Sequence, residues 1–287
     1  MLLASALAVA ATANPCADPE PRYACPDLVM RAPYNMKLIR TPKRQLLAAT
    51  NAIVNVGDGP LEVRGTRTQS SRFQIPARQV LRGRTTQTAP LVLPPRGRLN
   101  FFDTRTRGVY WKYHNAASFT LRRVSATGTV GAVRRTGKKV DYCFRDLTKV
   151  KRLDTGKRYA GTPRSRQFGA CSKDGGDRQL TLGTSVGWAD IYPYRYPQNN
   201  LDVTGLAGCF LYTLKADPEN ELVELSESNN AGSVVVRLPW KGPGRRGCPR
   251  ATEDPGNVPT PLAGTDDAQT EDEPSQPPAQ PEDPYGY

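Results

Sequence analysis

Apolar side chains between residues 25 and 240 follow the spacing of β-strands rather than that of helices. No stretch beyond about ten residues keeps apolar side chains at i, i+3 and i+4, the pattern of an amphipathic helix. Short alternating segments are instead separated by turn residues, as at 55–60, where Gly and Asp suit positive φ. We expect strands at 46–56, 61–63, 97–102, 109–113, 117–124, 139–144, 179–182, 200–203, 209–215 and 232–237. Strands at this spacing predict an all-β sandwich.

Three other stretches lack this alternation. Residues 64–96 are polar and rich in Arg, Thr and Gln, so they carry only weak strand signals. Residues 147–178 are basic and rich in glycine, which predicts a long loop. Residues 241–287 are rich in Pro, Gly and acidic residues, which predicts a disordered tail.

The charge is distributed unevenly along the chain. Residues 251–287 contain nine acidic residues and no Lys or Arg, which leaves 1–250 with 40 basic against 18 acidic residues, a net charge of +22. Such a body is expected to bind polyanions, whether nucleic acid, anionic glycan or phospholipid. The alternative is that the arginines serve only to keep the surface soluble.

The first thirteen residues are short, apolar and small, and they end in Ala11-Thr12-Ala13. This pattern predicts a secretory signal peptide at 1–13 with cleavage after Ala13, although a buried N-terminal strand is the alternative. Export would place the six cysteines in an oxidising compartment, where an even number predicts disulfides. No apolar run reaches the ~18–20 residues needed to span a bilayer.

The chain has a single histidine, His114. A metal site with three imidazoles therefore cannot be built from this chain alone, and any imidazole general base must be His114. The sequence contains no C-x-x-C motif, which removes zinc-ribbon and thioredoxin-like interpretations.

Several segments, taken in order, resemble the catalytic domain of the lysyl oxidases. They are Pro26-Asp27-Leu28-Val29, the turn at 55–61, the segment Val109 to Leu121, Lys139-Val140-Asp141-Tyr142-Cys143-Phe144-Arg145-Asp146, Gly187-Trp188-Ala189-Asp190-Ile191-Tyr192, Leu201-Asp202-Val203-Thr204 and Glu224 to Asn230. The resemblance covers about residues 25–240 and implies an immunoglobulin-like, lysyl-oxidase-like β-sandwich. The segment Glu224 to Asn230 alone also resembles adhesion-type immunoglobulin-like modules.

The resemblance implies copper-dependent oxidative deamination of primary amines, often of peptidyl lysine. In the family, three histidines at alternate positions of one strand hold the copper, since alternate side chains share a face. Here the matching positions hold Tyr110, Lys112 and His114. A lysine ammonium about 4 Å from a copper dication costs roughly 8 kcal/mol at an effective dielectric constant near 20. We therefore expect the family's copper site to be absent.

The resemblance also assigns a quinone cofactor, lysine tyrosylquinone, to Lys139 and Tyr192. Lys139 lies four residues before Cys143, and Tyr192 follows Asp190-Ile191, as in the family. The alternatives are a solvated charge at a strand end for Lys139 and a packed aromatic side chain for Tyr192.

A calcium site is the second implication of the resemblance. The matching positions are Asp27, the carbonyl of Leu28, Glu224, Ser226, Asn229 and Asn230. Hard oxygen ligands of this kind suit calcium. Ser226 stands where an Asp is expected, and Glu227 is placed to compensate for the lost charge. The alternative is a cation-free corner in which the two asparagines cap backbone groups.

For the disulfides, we expect Cys143–Cys171, which ties a strand to the long basic loop. Cys16–Cys25 and Cys209–Cys248 then follow by elimination. Enclosing about 27 residues between Cys143 and Cys171 is worth roughly 3–4 kcal/mol in the chain-entropy model.

Three functions remain open. The first is an active copper amine oxidase with an altered site, acting on protein lysines. The second, which we favour, is a non-catalytic, secreted lysyl-oxidase-like domain that binds an extracellular anionic polymer. The third is a nucleic-acid binder that uses Trp111, Tyr110, Tyr113 and Phe119 for stacking, with Lys112, Arg122 and Arg123 for phosphates. Export disfavours the third.

Overall fold

The computed structural model describes residues 14–68, 73–104, 108–152 and 154–253. The predicted signal peptide at 1–13 and residues 254–287 of the predicted tail lie outside the described residues. The described part of the chain contains no helix of sufficient length and apolarity to cross a lipid bilayer.

The described residues form strands joined by turns and loops, with a single 3₁₀ turn at Pro197–Asn199. In chain order, β1 to β17 are Tyr23–Ala24, Leu28–Met30, Tyr34–Arg40, Gln45–Asn55, Leu61–Thr66, Gln74–Gly83, Leu91–Val92, Gly97–Thr104, Gly108–Val124, Val130–Thr136, Val140–Tyr142, Thr148–Lys149, Gln179–Thr184, Trp188–Tyr192, Asn200–Asp202, Gly208–Ala216 and Ala231–Leu238. The all-β class predicted from the sequence is confirmed.

The strands make two sheets, and all of their pairings are antiparallel. The main path of the larger sheet runs β13-β5-β6-β8-β9-β16-β17, and that of the smaller sheet runs β12-β14-β4-β15. The central β4 is buried along almost its whole length, because it packs in the middle of the smaller sheet. One large apolar cluster joins both sheets, including Ile53 of β4, Leu99 of β8 and Leu214 of β16.

Strand β9 corrects two of the strand predictions. Segments 109–113 and 117–124 were predicted as separate strands, but they belong to one strand, Gly108–Val124. Asn115 interrupts the alternation with a φ of +54°, a left-handed conformation that asparagine tolerates better than most residues. The strand therefore continues through a local irregularity. In the sequence pattern, this irregularity resembles the end of one strand and the start of another.

The polar stretch 64–96 also contains more strand than its composition suggests. Gln74–Gly83 forms β6, which pairs with both β5 and β8. Its inward residues Ile75 and Ala77 are buried, whereas the alternate positions carry Arg, Gln and Pro. Among its described residues, the long loop predicted at 147–178 contains the two-residue strand Thr148–Lys149 and an isolated bridge between Lys151 and Arg158.

The three disulfides are Cys16–Cys25, Cys143–Cys171 and Cys209–Cys248, which is the predicted pairing. The last one holds residues 241–253 over the outer side of β16 and β17, where Cys248 and Ala251 pack against Leu211 and Val235. Residues 241–253 belong to the predicted tail, and the predicted Cys209–Cys248 disulfide ties this start of the tail to the sandwich. A disulfide and a small apolar cluster supply the burial that composition alone did not reveal.

We expect the double substitution Cys209→Ser/Cys248→Ser to lower the free energy of unfolding by about 4 kcal/mol, from the chain-entropy cost of a closed loop of this size. The two cysteines are 39 residues apart. Urea unfolding of the oxidised protein measures the loss. An unchanged midpoint would contradict an ordered, stabilising segment at 241–253.

Candidate functional site

Tyr110, Lys112 and His114 occupy alternate positions of β9. Lys112 is only 1% exposed. Its ammonium nitrogen lies 4.4 Å from the centre of the Tyr110 ring and 5.7 Å from the centre of the Tyr192 ring. At these distances an ammonium group is attracted by the faces of aromatic rings. The position that the resemblance gives to a copper ligand is thus filled by a lysine among aromatic side chains.

His114 is held in a polar network at the edge of this region. Its Nδ1 lies 3.0 Å from Asp141 Oδ1 and 2.9 Å from Asn100 Nδ2, and the Arg98 guanidinium contacts its Nε2. Both ring nitrogens are therefore engaged by protein groups. The imidazole would have to leave these partners before it could bind a metal.

The residues at the predicted copper positions do not fit a copper centre. A copper dication prefers imidazole ligands, and the chain has one histidine, whose two nitrogens already have partners. The buried cation of Lys112 stands where a second ligand should supply a lone pair. This supports the expectation that the family's copper site is absent.

Lys139 and Tyr192, the predicted quinone pair, have different environments. The Lys139 side chain is 40% exposed and forms an ion pair with Glu219, which Asn115 also contacts. Tyr192 is 4% exposed, and its hydroxyl accepts a hydrogen bond of 2.7 Å from the backbone N–H of Cys143. Its ring stacks on Tyr142 with 3.9 Å between centroids. Tyr192 packs as a core aromatic residue, and Lys139 lies at the surface.

The interior beside Tyr192 is polar as well as aromatic. Asp190 on β14 is completely buried, and so is Asn51, which is the cross-strand partner of Tyr192 on β4. Burial, followed by the nearby charge of Asp190, raises the pKa of Tyr142 well above its usual value. Within the described residues, neither amide atom of Asn51 has a hydrogen-bond partner. Sequence reasoning missed Asn51, although an asparagine within the apolar run of β4 was a signal.

The aromatic residues considered for nucleic-acid stacking are inside the protein. Trp111, Tyr113 and Phe119 are fully or almost fully buried. The Trp111 indole N–H donates to the carbonyl oxygen of Asp174 in the long loop. These rings cannot stack on bases in this structure, so the nucleic-acid alternative loses its proposed platform.

A second cluster, made of acidic side chains, joins β2 near the start of the sandwich to the corner that precedes β17. Carboxylate oxygens of Asp217, Glu224 and Glu227 lie within 4.8 Å of one another. Glu224 is 1% exposed and accepts a hydrogen bond of 2.6 Å from the backbone N–H of Leu28. The amide of Asn230 donates to Glu224 at 2.8 Å and to Glu227 at 3.1 Å. Residues far apart in sequence therefore meet at one acidic corner.

The other predicted calcium residues surround this corner. Asn229 donates to Asp27 at 2.8 Å, whereas the hydroxyl of Ser226 is bonded to that of Ser228 at 2.9 Å. The amide oxygens of Asn229 and Asn230 are buried and, within the described part of the chain, no donor reaches them. Asn230 itself is 1% exposed. Oxygens of this kind, left without hydrogen-bond donors beside carboxylates, suit a hard cation.

The electrostatics of the corner disfavour the ionised form of its carboxyl groups. Burial raises the pKa of Glu224 to about 9, and repulsion from Glu227 and Asp217 adds to that rise. Burial also raises the pKa of Asp217, Glu227 and Asp27. The sequence did not identify Asp217, which precedes Pro218 in a turn and has a φ of +39°. The four carboxyl groups with raised pKa values therefore hold protons more tightly than free carboxyl groups, and a cation bound among them would have to displace those protons.

Comparison with known proteins adds no family assignment. No protein-family model matches the chain, and no curated protein matches it. The lysyl oxidase resemblance therefore depends on the segments quoted above.

Proposed function

We propose that the chain is a non-catalytic, exported, lysyl-oxidase-like domain that binds an extracellular anionic polymer. The observation that carries this proposal is the buried Lys112, which lies among aromatic rings at a position where copper chemistry needs a neutral ligand. The separate environments of Lys139 and Tyr192 agree with it.

The binding part of the proposal is supported by charge. Residues 1–250 carry a formal net charge of +22, and 29 of the 40 basic residues in the chain are arginines. Arginine presents a planar fork of donors that matches carboxylate, sulfate and phosphate groups. The three disulfides are compatible with an oxidising, extracellular setting, in which acidic glycans are common ligands.

We also propose that the acidic corner binds a calcium ion in a structural role. The ligand candidates are the carboxylates of Asp27, Asp217, Glu224 and Glu227 with the amide oxygens of Asn229 and Asn230. A cation there would offset the repulsion among the carboxylates. It would also fix β2 to the corner that precedes β17, because Glu224 already holds the backbone of Leu28.

Retention on immobilised heparin, a sulfated glycan, tests the binding function. If the domain makes about four charge contacts, the affinity should fall roughly 100-fold between 50 and 200 mM salt, using the slope per contact known for duplex DNA. No retention at 50 mM salt, or retention that is independent of salt, would contradict the proposal. Hydrogen peroxide release from primary amines by copper-loaded protein would instead support the active oxidase.

A further inference from the structure

The outer side of the larger sheet carries arginines on neighbouring strands. Arg64 on β5, Arg78 and Arg82 on β6, and Arg98 on β8 are all exposed. Val63, Ala77 and Leu99, the immediate sequence neighbours of Arg64, Arg78 and Arg98, belong to the core. Strand alternation therefore gathers the basic side chains on one solvent-facing surface.

Two of these arginines are direct cross-strand neighbours. Arg64 pairs with Arg78 in the β5–β6 register, and Thr181 of β13 pairs with Arg64 on its other side. Like charges placed directly opposite each other destabilise a sheet. The described residues form no ion pair between Arg78 and a carboxylate. An anion placed between the two guanidinium groups would relieve this repulsion.

A buried carboxylate orients the arginines without neutralising them. Glu62 accepts from Arg64 Nε at 2.7 Å and from Arg82 Nη2 at 3.0 Å, and the Glu62 side chain is almost completely buried. One negative charge thus serves two guanidinium groups, which leaves a net positive charge. Arg82 is further fixed by Gln167 at 3.3 Å and by the Phe168 ring at 6.0 Å. Guanidinium groups held in this way are preorganised for a ligand.

These side chains border a concavity of about 450 Å³. Its lining includes Arg64, Arg82 and Glu62 together with the amides of Gln167 and Gln179 and the hydroxyl of Thr181. Glu62 is the only carboxylate among the described residues that line it. Amide and hydroxyl groups beside arginines suit a ligand that has both hydroxyl and anionic groups.

We propose that this arginine concavity, together with Arg78, binds an acidic sugar residue of an anionic polysaccharide. The inference rests on the proposed polymer-binding function and adds its location and ligand class. A glycan fits better than a nucleic acid because Phe168, the one aromatic residue among the described residues of the lining, is buried beneath Arg82 and offers no face for base stacking.

The test compares Arg64→Gln/Arg78→Gln with Arg134→Gln/Arg237→Gln, which removes the same charge from exposed positions on β10 and β17. The probe is a heparin hexasaccharide, titrated from 50 to 200 mM salt. The first variant should bind at least about 10-fold more weakly, and its salt slope should fall by about two, or one per lost contact. The control variant should stay within about 2-fold of the wild type.

Thr181→Val provides a second, charge-neutral test. It should weaken binding without changing the salt slope, because it removes a hydroxyl and no charge. Urea unfolding should show that Arg64→Gln/Arg78→Gln remains folded, because Arg82 still pairs with the buried Glu62 when the Arg64 contact is lost.

The outcomes of these tests separate the proposed polymer-binding function from the proposed location of its binding site. A wild-type protein that binds no hexasaccharide contradicts the polymer-binding function itself. Wild-type binding that falls equally in both arginine double variants contradicts the arginine concavity and leaves the function in place. Tighter binding of a single-stranded DNA oligonucleotide than of the hexasaccharide at equal salt contradicts the glycan assignment.

Discussion

Calcium added to chelator-treated protein at pH 8 should raise the free energy of unfolding by about 3–4 kcal/mol. This gain corresponds to a free Ca²⁺ concentration some hundred to a thousand times the dissociation constant. It follows from the acidic corner, where Glu224 and Asp217 are buried beside Glu227 and where two amide oxygens lack donors within the described residues. The measurement is urea unfolding with and without the cation.

In the absence of calcium, the same corner determines whether the stability of the fold rises or falls with pH. The pKa of Glu224 is raised from 4.5 to about 9 in the folded state. Between these values the folded protein binds a proton that the unfolded chain has released, so stability is lost as the pH rises. The slope for one such group approaches ~1.4 kcal/mol per pH unit. Saturating calcium should flatten this slope, because the cation replaces the proton.

Glu224→Gln and Glu20→Gln form a matched pair for this prediction, since Glu20 is exposed and is not one of the ligand candidates of the corner. Glu224→Gln should lose most of the calcium response and most of the pH slope, whereas Glu20→Gln should keep both. Equal unfolding midpoints for the wild type with chelator and with calcium at pH 8 would contradict the cation site.

Replacing Lys112 by methionine should destabilise the protein by about 3–5 kcal/mol, even though methionine suits a core. Lys112 and Asp190 are both buried: the Lys112 ammonium lies 5.7 Å from the centre of the Tyr192 ring, and Asp190 is close enough to Tyr142, which stacks on Tyr192, to raise its pKa. Removing one charge of a buried, compensated set leaves the other without compensation, which is costly. The control is Lys37→Met at an exposed position of β3, which should change stability by less than about 0.5 kcal/mol.

A double-mutant cycle with Asp190→Leu separates charge compensation from simple packing. Lys112→Met/Asp190→Leu should lose less stability than the sum of the two single substitutions, with a coupling of about 1–3 kcal/mol. Strictly additive losses, or a Lys112→Met variant as stable as the wild type, would contradict the account of Lys112 as a compensated buried cation.

The fold could be predicted from local pattern where one face of a strand, or both, is apolar. This was the case for β4, β16 and β17, whose observed bounds lie within a few residues of the predictions. Strand β6 was missed because the exposed Gln74, Pro76 and Arg78 alternate with the buried Ile75 and Ala77 and obscure them, and the buried run Gln79 to Leu81 then breaks the alternation. The continuity of β9 was missed because Asn115 breaks its alternation.

The candidate site depended on contacts between residues far apart in sequence. The resemblance named Glu224, Asn229 and Asn230, but it could not name Asp217, which reaches the same corner from the end of β16. The sequence indicated that Lys112 conflicts with copper. Only the packing shows how the lysine is accommodated, among the rings of Tyr110 and Tyr192.

The proposed function requires that this domain does not carry the quinone chemistry of the lysyl oxidases. Its most direct test is a peptide map of protein exposed to copper and oxygen, with the disulfides reduced before digestion. An unreduced digest, in which the Cys143 and Cys171 peptides remain joined, shows that linked peptides are detected. We predict that the Lys139 and Tyr192 peptides are recovered separately and unmodified. A covalent link between Tyr192 and Lys139, or between Tyr192 and any other lysine, would contradict the claim.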